Sequence, residues 1–76
     1  MELEKFILVF ANQFEDTDTS NFSKDTLFKD NEEWSSLVVL SLIGMADEEY
    51  GVRINIDDIN SANTIGDLFE LIKSKK

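Results

Sequence analysis

An apolar run from Trp34 to Gly51, opened by two hydroxyls and closed by an acidic cluster, constrains this chain more than any other stretch. Ser35 and Ser36 stand before its first aliphatic residue, where a serine oxygen can accept an orphan amide proton of a first helical turn. Gly51 supplies a stop, because glycine tolerates the left-handed conformation that commonly ends helices. Between them Val39, Leu42, Ile43, Ala46 and Tyr50 recur at helical spacing and predict the stripe turned toward a core. Leu37, Val38, Leu40 and Met45 lie partly or wholly off that stripe. A helix apolar beyond one face is buried on several sides or carries a patch that something else touches.

The flanking segments read as partners for this helix. Leu3, Phe6, Ile7, Phe10 and Phe14 predict a first helix over about residues 2 to 15, with Glu2 and Glu4 opposing the positive end of its dipole. Aromatics at that spacing are core. Asp16 to Thr26 is polar and reads as a long loop, pinned by Phe22, Leu27 and Phe28. Asp16, Asp18 and Ser20 imitate the start of a calcium loop, but Asn21 and Leu27 stand where its glycine and bidentate glutamate belong, so no metal site is expected. Val52, Ile54 and Ile56 alternate like a strand with nothing to pair with, and we expect an extended connector anchored by all three. Asp57 to Asn60 allows one short helical turn. Thr64 and Asp67 suggest a capping box for a last helix with Ile65, Leu68, Phe69 and Ile72 inward and Lys73, Lys75 and Lys76 at its negative end. The expected fold is an all-α bundle of three main helices plus one short helix, with a long loop between the first two, forming a single domain over residues 1–76.

Composition narrows the function. The chain has no Cys and no His, which removes disulfides, thiolate metal sites, cysteine nucleophiles and His-assisted serine chemistry, so no catalytic residue is expected. Sixteen acidic against seven basic residues give a net charge of −9, which disfavours nucleic acid and favours partners with basic surfaces. The longest apolar run is too interrupted for a membrane span, and the amino terminus lacks the pattern of a secretory signal, so a cytoplasmic monomer is expected.

Taken together, these residues resemble the acyl carrier protein family. Ser35-Ser36-Leu37 stands where that family has Asp-Ser-Leu at the head of its second helix. The likeness continues through Leu42, Ala46-Asp47-Glu48-Glu49-Tyr50, Ile54 and Asn63-Thr64-Ile65, nearly the full chain. It implies a covalent 4′-phosphopantetheine arm on Ser36, which directly precedes Leu37, with Ser35 as the second choice. It further implies a phosphopantetheinyl transferase that installs the arm and acyl-processing enzymes that read the cargo. The pattern departs at Ser35, which replaces an Asp that helps hold the transferase's metal and basic surface, and at Trp34, where a Gly is common. A less acidic first half of the central helix then points to a specialised pathway, with partners meeting a patch of Leu37, Val38 and Met45 edged by Asp47 and Glu48. Within this reading the cargo is an acyl intermediate of fatty acid, lipid or polyketide synthesis. The alternatives are an aminoacyl or peptidyl carrier, or an unmodified helical adaptor that uses the same patch.

Overall fold

The computed structural model describes residues 2–76. Four α-helices follow in order: α1 (Leu3–Ala11), α2 (Ser36–Tyr50), α3 (Ile56–Ser61) and α4 (Ile65–Lys75), with one 3₁₀ turn at Phe28–Asp30. No strand occurs among the described residues, as the alternating segment after Gly51 had no partner to pair with. α1 packs against both α2 and α4, and α3 packs against α4.

Each boundary has a local cause. α1 ends at Ala11, short of the expected end near residue 15, because the chain tightens there: Gln13 and Phe14 donate backbone bonds three residues back, to Phe10 and Ala11. The Gln13 side chain donates to the Val9 carbonyl at 2.9 Å. This tighter turn still delivers Phe14 to the core. α2 closes at Gly51, whose φ of 65° lets the Gly51 and Val52 amides return to the Asp47 and Ala46 carbonyls. Capping boxes open the last two helices, Asn55 with Asp58 for α3 and Thr64 with Asp67 for α4. Where α4 begins, the Ile65 and Gly66 amides donate to the Thr26 and Lys24 carbonyls, so the long loop is tied to the bundle by backbone. A Cβ on Gly66 would lie 3.0 Å from the Lys24 oxygen, so a larger residue would need that backbone to give by a few tenths of an ångström.

The core is aromatic along one line. Phe10 meets Phe6, Phe14, Phe22 and Phe28, with ring centroids 6.1, 5.5, 6.2 and 5.3 Å away. Phe6 continues the line to Tyr50 and Phe69, and at the other end Trp34 stacks on Phe14 and sets its edge on Phe28 at 5.2 Å. Such pairs contribute about 0.5–1.5 kcal/mol each beyond the area they bury. Trp34 immediately precedes the two serines, so this row of rings seats the head of α2.

Three expected orientations are corrected. Val38 and Met45, expected on an exposed patch, are buried at 5% and 4% exposure. Packing against α1 turns Val38, Leu42, Met45, Ala46 and Tyr50 inward, and leaves Val39 and Ile43 half-buried at the margin. Leu42, Ala46 and Tyr50 keep the predicted facing, and the buried face changes only at its margin, where Val38 and Met45 are covered more fully than Val39 and Ile43, a small rotation that a helix apolar on most sides does not resist. Leu27 is exposed because Phe28, the next residue, takes the place against Phe10 and Trp34. Ile56 is exposed as well: alternation holds through the buried Val52 and Ile54, but Ile56 already belongs to the first turn of α3, where the period is no longer two.

Candidate functional site: the head of the central helix

Ser35 and Ser36 occupy different structural positions. Ser35 is the N-cap of α2, with extended backbone, and its Oγ accepts from the Val38 amide at 3.4 Å. Ser36 is the first helical residue and is exposed. Among the described residues no hydrogen bond engages its hydroxyl. The Ser36 and Leu37 amides precede any intrahelical partner, so free N–H groups and the positive end of the dipole surround this hydroxyl. No acidic residue lies in the first turn of α2 to offset that field.

Two open cavities flank the position. One, about 420 Å³, is lined mostly by apolar groups of Trp34, Val39, Leu40 and Ile56, with Ser35 and Ser36 at its edge. The other, about 280 Å³, lies over the α1–α2 side and is lined by Glu15, Asp16, Glu33, Ser35 and Leu37 among others. Beside these cavities the exposed apolar groups are Leu37 at 74%, Leu40 at 62% and Ile56 at 55%. Of the expected patch only Leu37 is at the surface; Leu40 and Ile56 take the places of Val38 and Met45. Leu40 was legible as the residue one turn beyond Leu37 on the same face. Ile56 was not, since its neighbourhood depends on where α3 packs.

Asp47 and Glu48 are exposed at the far end of α2, together with Glu49. Three carboxylates there add to the negative end of the helix dipole, an unfavourable placement, and the last turn holds no basic residue. The one salt bridge among the described residues joins Lys75 to Asp58 at 3.8 Å, so this acidic end is unpaired. No grouping of side chains that could hold a metal ion occurs among the described residues.

The sequence places Glu33 among acidic residues that shadow the positive end of the central helix, but does not show the latch it forms. Its carboxylate accepts from the Glu15 amide at 2.8 Å, the Asp16 amide at 3.1 Å and the Thr17 hydroxyl at 2.6 Å. Asn31 Oδ1 accepts from the Glu33 amide at 2.7 Å and holds the carboxylate in that direction. These bonds, the Thr17 hydroxyl foremost, keep the Glu33 carboxyl below the usual glutamate range. The latch joins the chain after α1 to the turn that leads into Ser35, a pairing of residues 16–18 apart that no local pattern reveals.

The family described as "Phosphopantetheine attachment site" has a model that matches residues 9–72. This chain belongs to that phosphopantetheine-binding carrier family. No curated protein and no solved structure gives a match. Carriers of this kind bear a covalent 4′-phosphopantetheine and are not themselves enzymes. The head of α2 suits the group: a phosphodiester there meets free amides and the positive dipole, an effect of about 0.3–1 kcal/mol, and an apolar surface lies alongside for the arm. Among the described residues no helix is long and apolar enough to cross a membrane.

Proposed function

We propose that residues 1–76 form one carrier domain whose attachment residue is Ser36, and that it delivers acyl intermediates to the enzymes of fatty acid synthesis or of a specialised lipid or polyketide pathway in the cytoplasm, as a monomer. The observation that carries the reading is the division of labour between the two serines: Ser35 is committed to the cap, while Ser36 presents an exposed and unengaged hydroxyl. The chain has no His to activate that hydroxyl, so its proton is taken by a base of the transferase. When bound, the arm supplies a thiol that holds cargo as a thioester. The chain's own residues contribute delivery. Leu37, Leu40 and Ile56 offer an apolar contact beside Ser36, and Asp47 and Glu48 steer basic partner surfaces, raising association rates more than lifetimes.

Intact mass after incubation with coenzyme A and a broad-specificity phosphopantetheinyl transferase tests this. The parent and Ser35→Ala gain one arm, and Ser36→Ala gains none. Arm gain by Ser36→Ala and its loss in Ser35→Ala would assign the attachment to Ser35 and refute the reading.

A further inference from the structure

Trp34 belongs to two surfaces at once. Toward the interior it stacks on Phe14 and sets its edge on Phe28, so the indole is held by rings that are themselves buried. It also lines, with Val39, Leu40 and Ile56, the apolar cavity of about 420 Å³ that reaches Ser36. The Ile56 side of that cavity is fixed as well. Ile56 opens α3, which buries Ile59, carries its own capping box and is held near its end by Lys29, whose Nζ donates to the Asn60 carbonyl at 2.8 Å. The walls therefore exist before anything enters, which spares a ligand the cost of ordering them. A glycine, common at the place of Trp34 in the family, contributes no such surface.

What fits this cavity is decided by what is tied to its edge. A group esterified to the Ser36 oxygen begins with a phosphodiester, whose charge stays with water and the free amides of the first turn. One methylene further along a 4′-phosphopantetheine arm stands a quaternary carbon with a pair of methyl groups, and only after it come a hydroxyl and the amides, which favour water. The most apolar part of the arm thus starts next to an apolar cavity, and the tether keeps it at high local concentration there. Resting on the Ser36 reading, we propose that Trp34 is an arm-positioning residue: its indole, with Leu40 and Ile56, receives the paired methyl groups, so that the arm leaves Ser36 along this cavity.

Proton NMR of the loaded protein tests this, because an aromatic ring displaces the resonances of groups stacked on it. The parent is loaded from coenzyme A by a broad-specificity transferase, and intact mass establishes the gain. The paired methyl resonances of the arm then lie upfield of their positions in free coenzyme A, with nuclear Overhauser contacts to the ring protons of Trp34, the single tryptophan of the chain. Trp34→Leu keeps an apolar wall but has no ring current, so the folded and loaded variant loses the displacement. Should that variant fail to fold by circular dichroism, the Overhauser contacts in the parent decide alone: their presence supports the proposal and their absence overturns it. Methyl resonances at their free positions in a loaded parent overturn the proposal while the Ser36 reading stands. Displacement that persists in Trp34→Leu removes Trp34 from the role. A parent that never gains the arm refutes the Ser36 reading and this inference with it.

Discussion

At the scale of single residues, polar groups in this carrier divide into those that hold and those that wait. Ser35 caps and Ser36 does not, and the 3.4 Å reach of Ser35 Oγ to the Val38 amide marks a weak cap. Ser35→Ala therefore costs near the low end of the usual capping range, about 0.5–1 kcal/mol by urea unfolding, and leaves Ser36 in place. Tyr50 is the opposite case: its hydroxyl is buried without a partner, and burial, helped by Glu49, raises its pKa. Tyr50→Phe removes a desolvated group at no loss of bonding and raises stability by about 1 kcal/mol, measured as a shift in the urea midpoint at constant slope. Glu33 sets an acid limit. Its folded-state pKa is depressed, so its contribution is present above the unfolded glutamate value and is lost as pH falls below that value through the lower folded one. Stability followed from neutral into the acid range falls less steeply for Glu33→Gln than for the parent; identical slopes would show that the latch adds nothing in solution.

Among the elements, α2 is the one whose environment had to be discovered. Its caps were legible because they are local: two hydroxyls before an apolar run and a glycine after it suffice. Gly51→Ala forces a side chain into φ 65° and lowers stability by about 1 kcal/mol, read from the thermal midpoint. The same reasoning served α4, whose Thr64–Asp67 box and inward Ile65, Leu68, Phe69 and Ile72 all appear as expected. For α2 it placed Leu42, Ala46 and Tyr50 inward as found but left Val38 and Met45 outside, because apolar residues on nearly every side specify rotation about the axis only loosely. Contact with α1 decides it, burying Val38 and Met45 and freeing Leu40. Gly66 shows a second tertiary demand. Gly66→Ala places a Cβ 3.0 Å from the Lys24 carbonyl and costs about 1–3 kcal/mol, detected as faster amide exchange in residues 24–26.

For the molecule as a whole, a short chain leaves little margin. At 76 residues the expected stability is about 4–11 kcal/mol, and the ring cluster around Phe10 is a large share of what holds α1, the long loop and Trp34 together. Phe10→Ala removes a fully buried ring and costs about 3–5 kcal/mol, enough to populate the unfolded chain at 37 °C by circular dichroism. Because Trp34 closes that cluster, the same change also loosens the turn before Ser36. Net charge acts at longer range. With a net charge of −9 over the whole chain and no ion pair at the acidic end of α2, association with any positively charged surface is expected to weaken as ionic strength rises, checked by the salt dependence of the association rate.

The amino-acid order by itself determined the all-helical class, the caps that delimit α2 and α4, the aromatic stripe of α1 and the serine at the head of α2, since each depends on periodicity or on residues within one turn of each other. Only the tertiary structure decided that Val38 and Met45 of α2 are buried, that Leu40 and Ile56 lie with Ser36 along one cavity, and that Glu33 fastens residues 15–17 to the turn before α2. Those outcomes depend on contacts between segments distant in the chain, where burial and hydrogen-bond geometry choose among faces that the local pattern leaves equivalent.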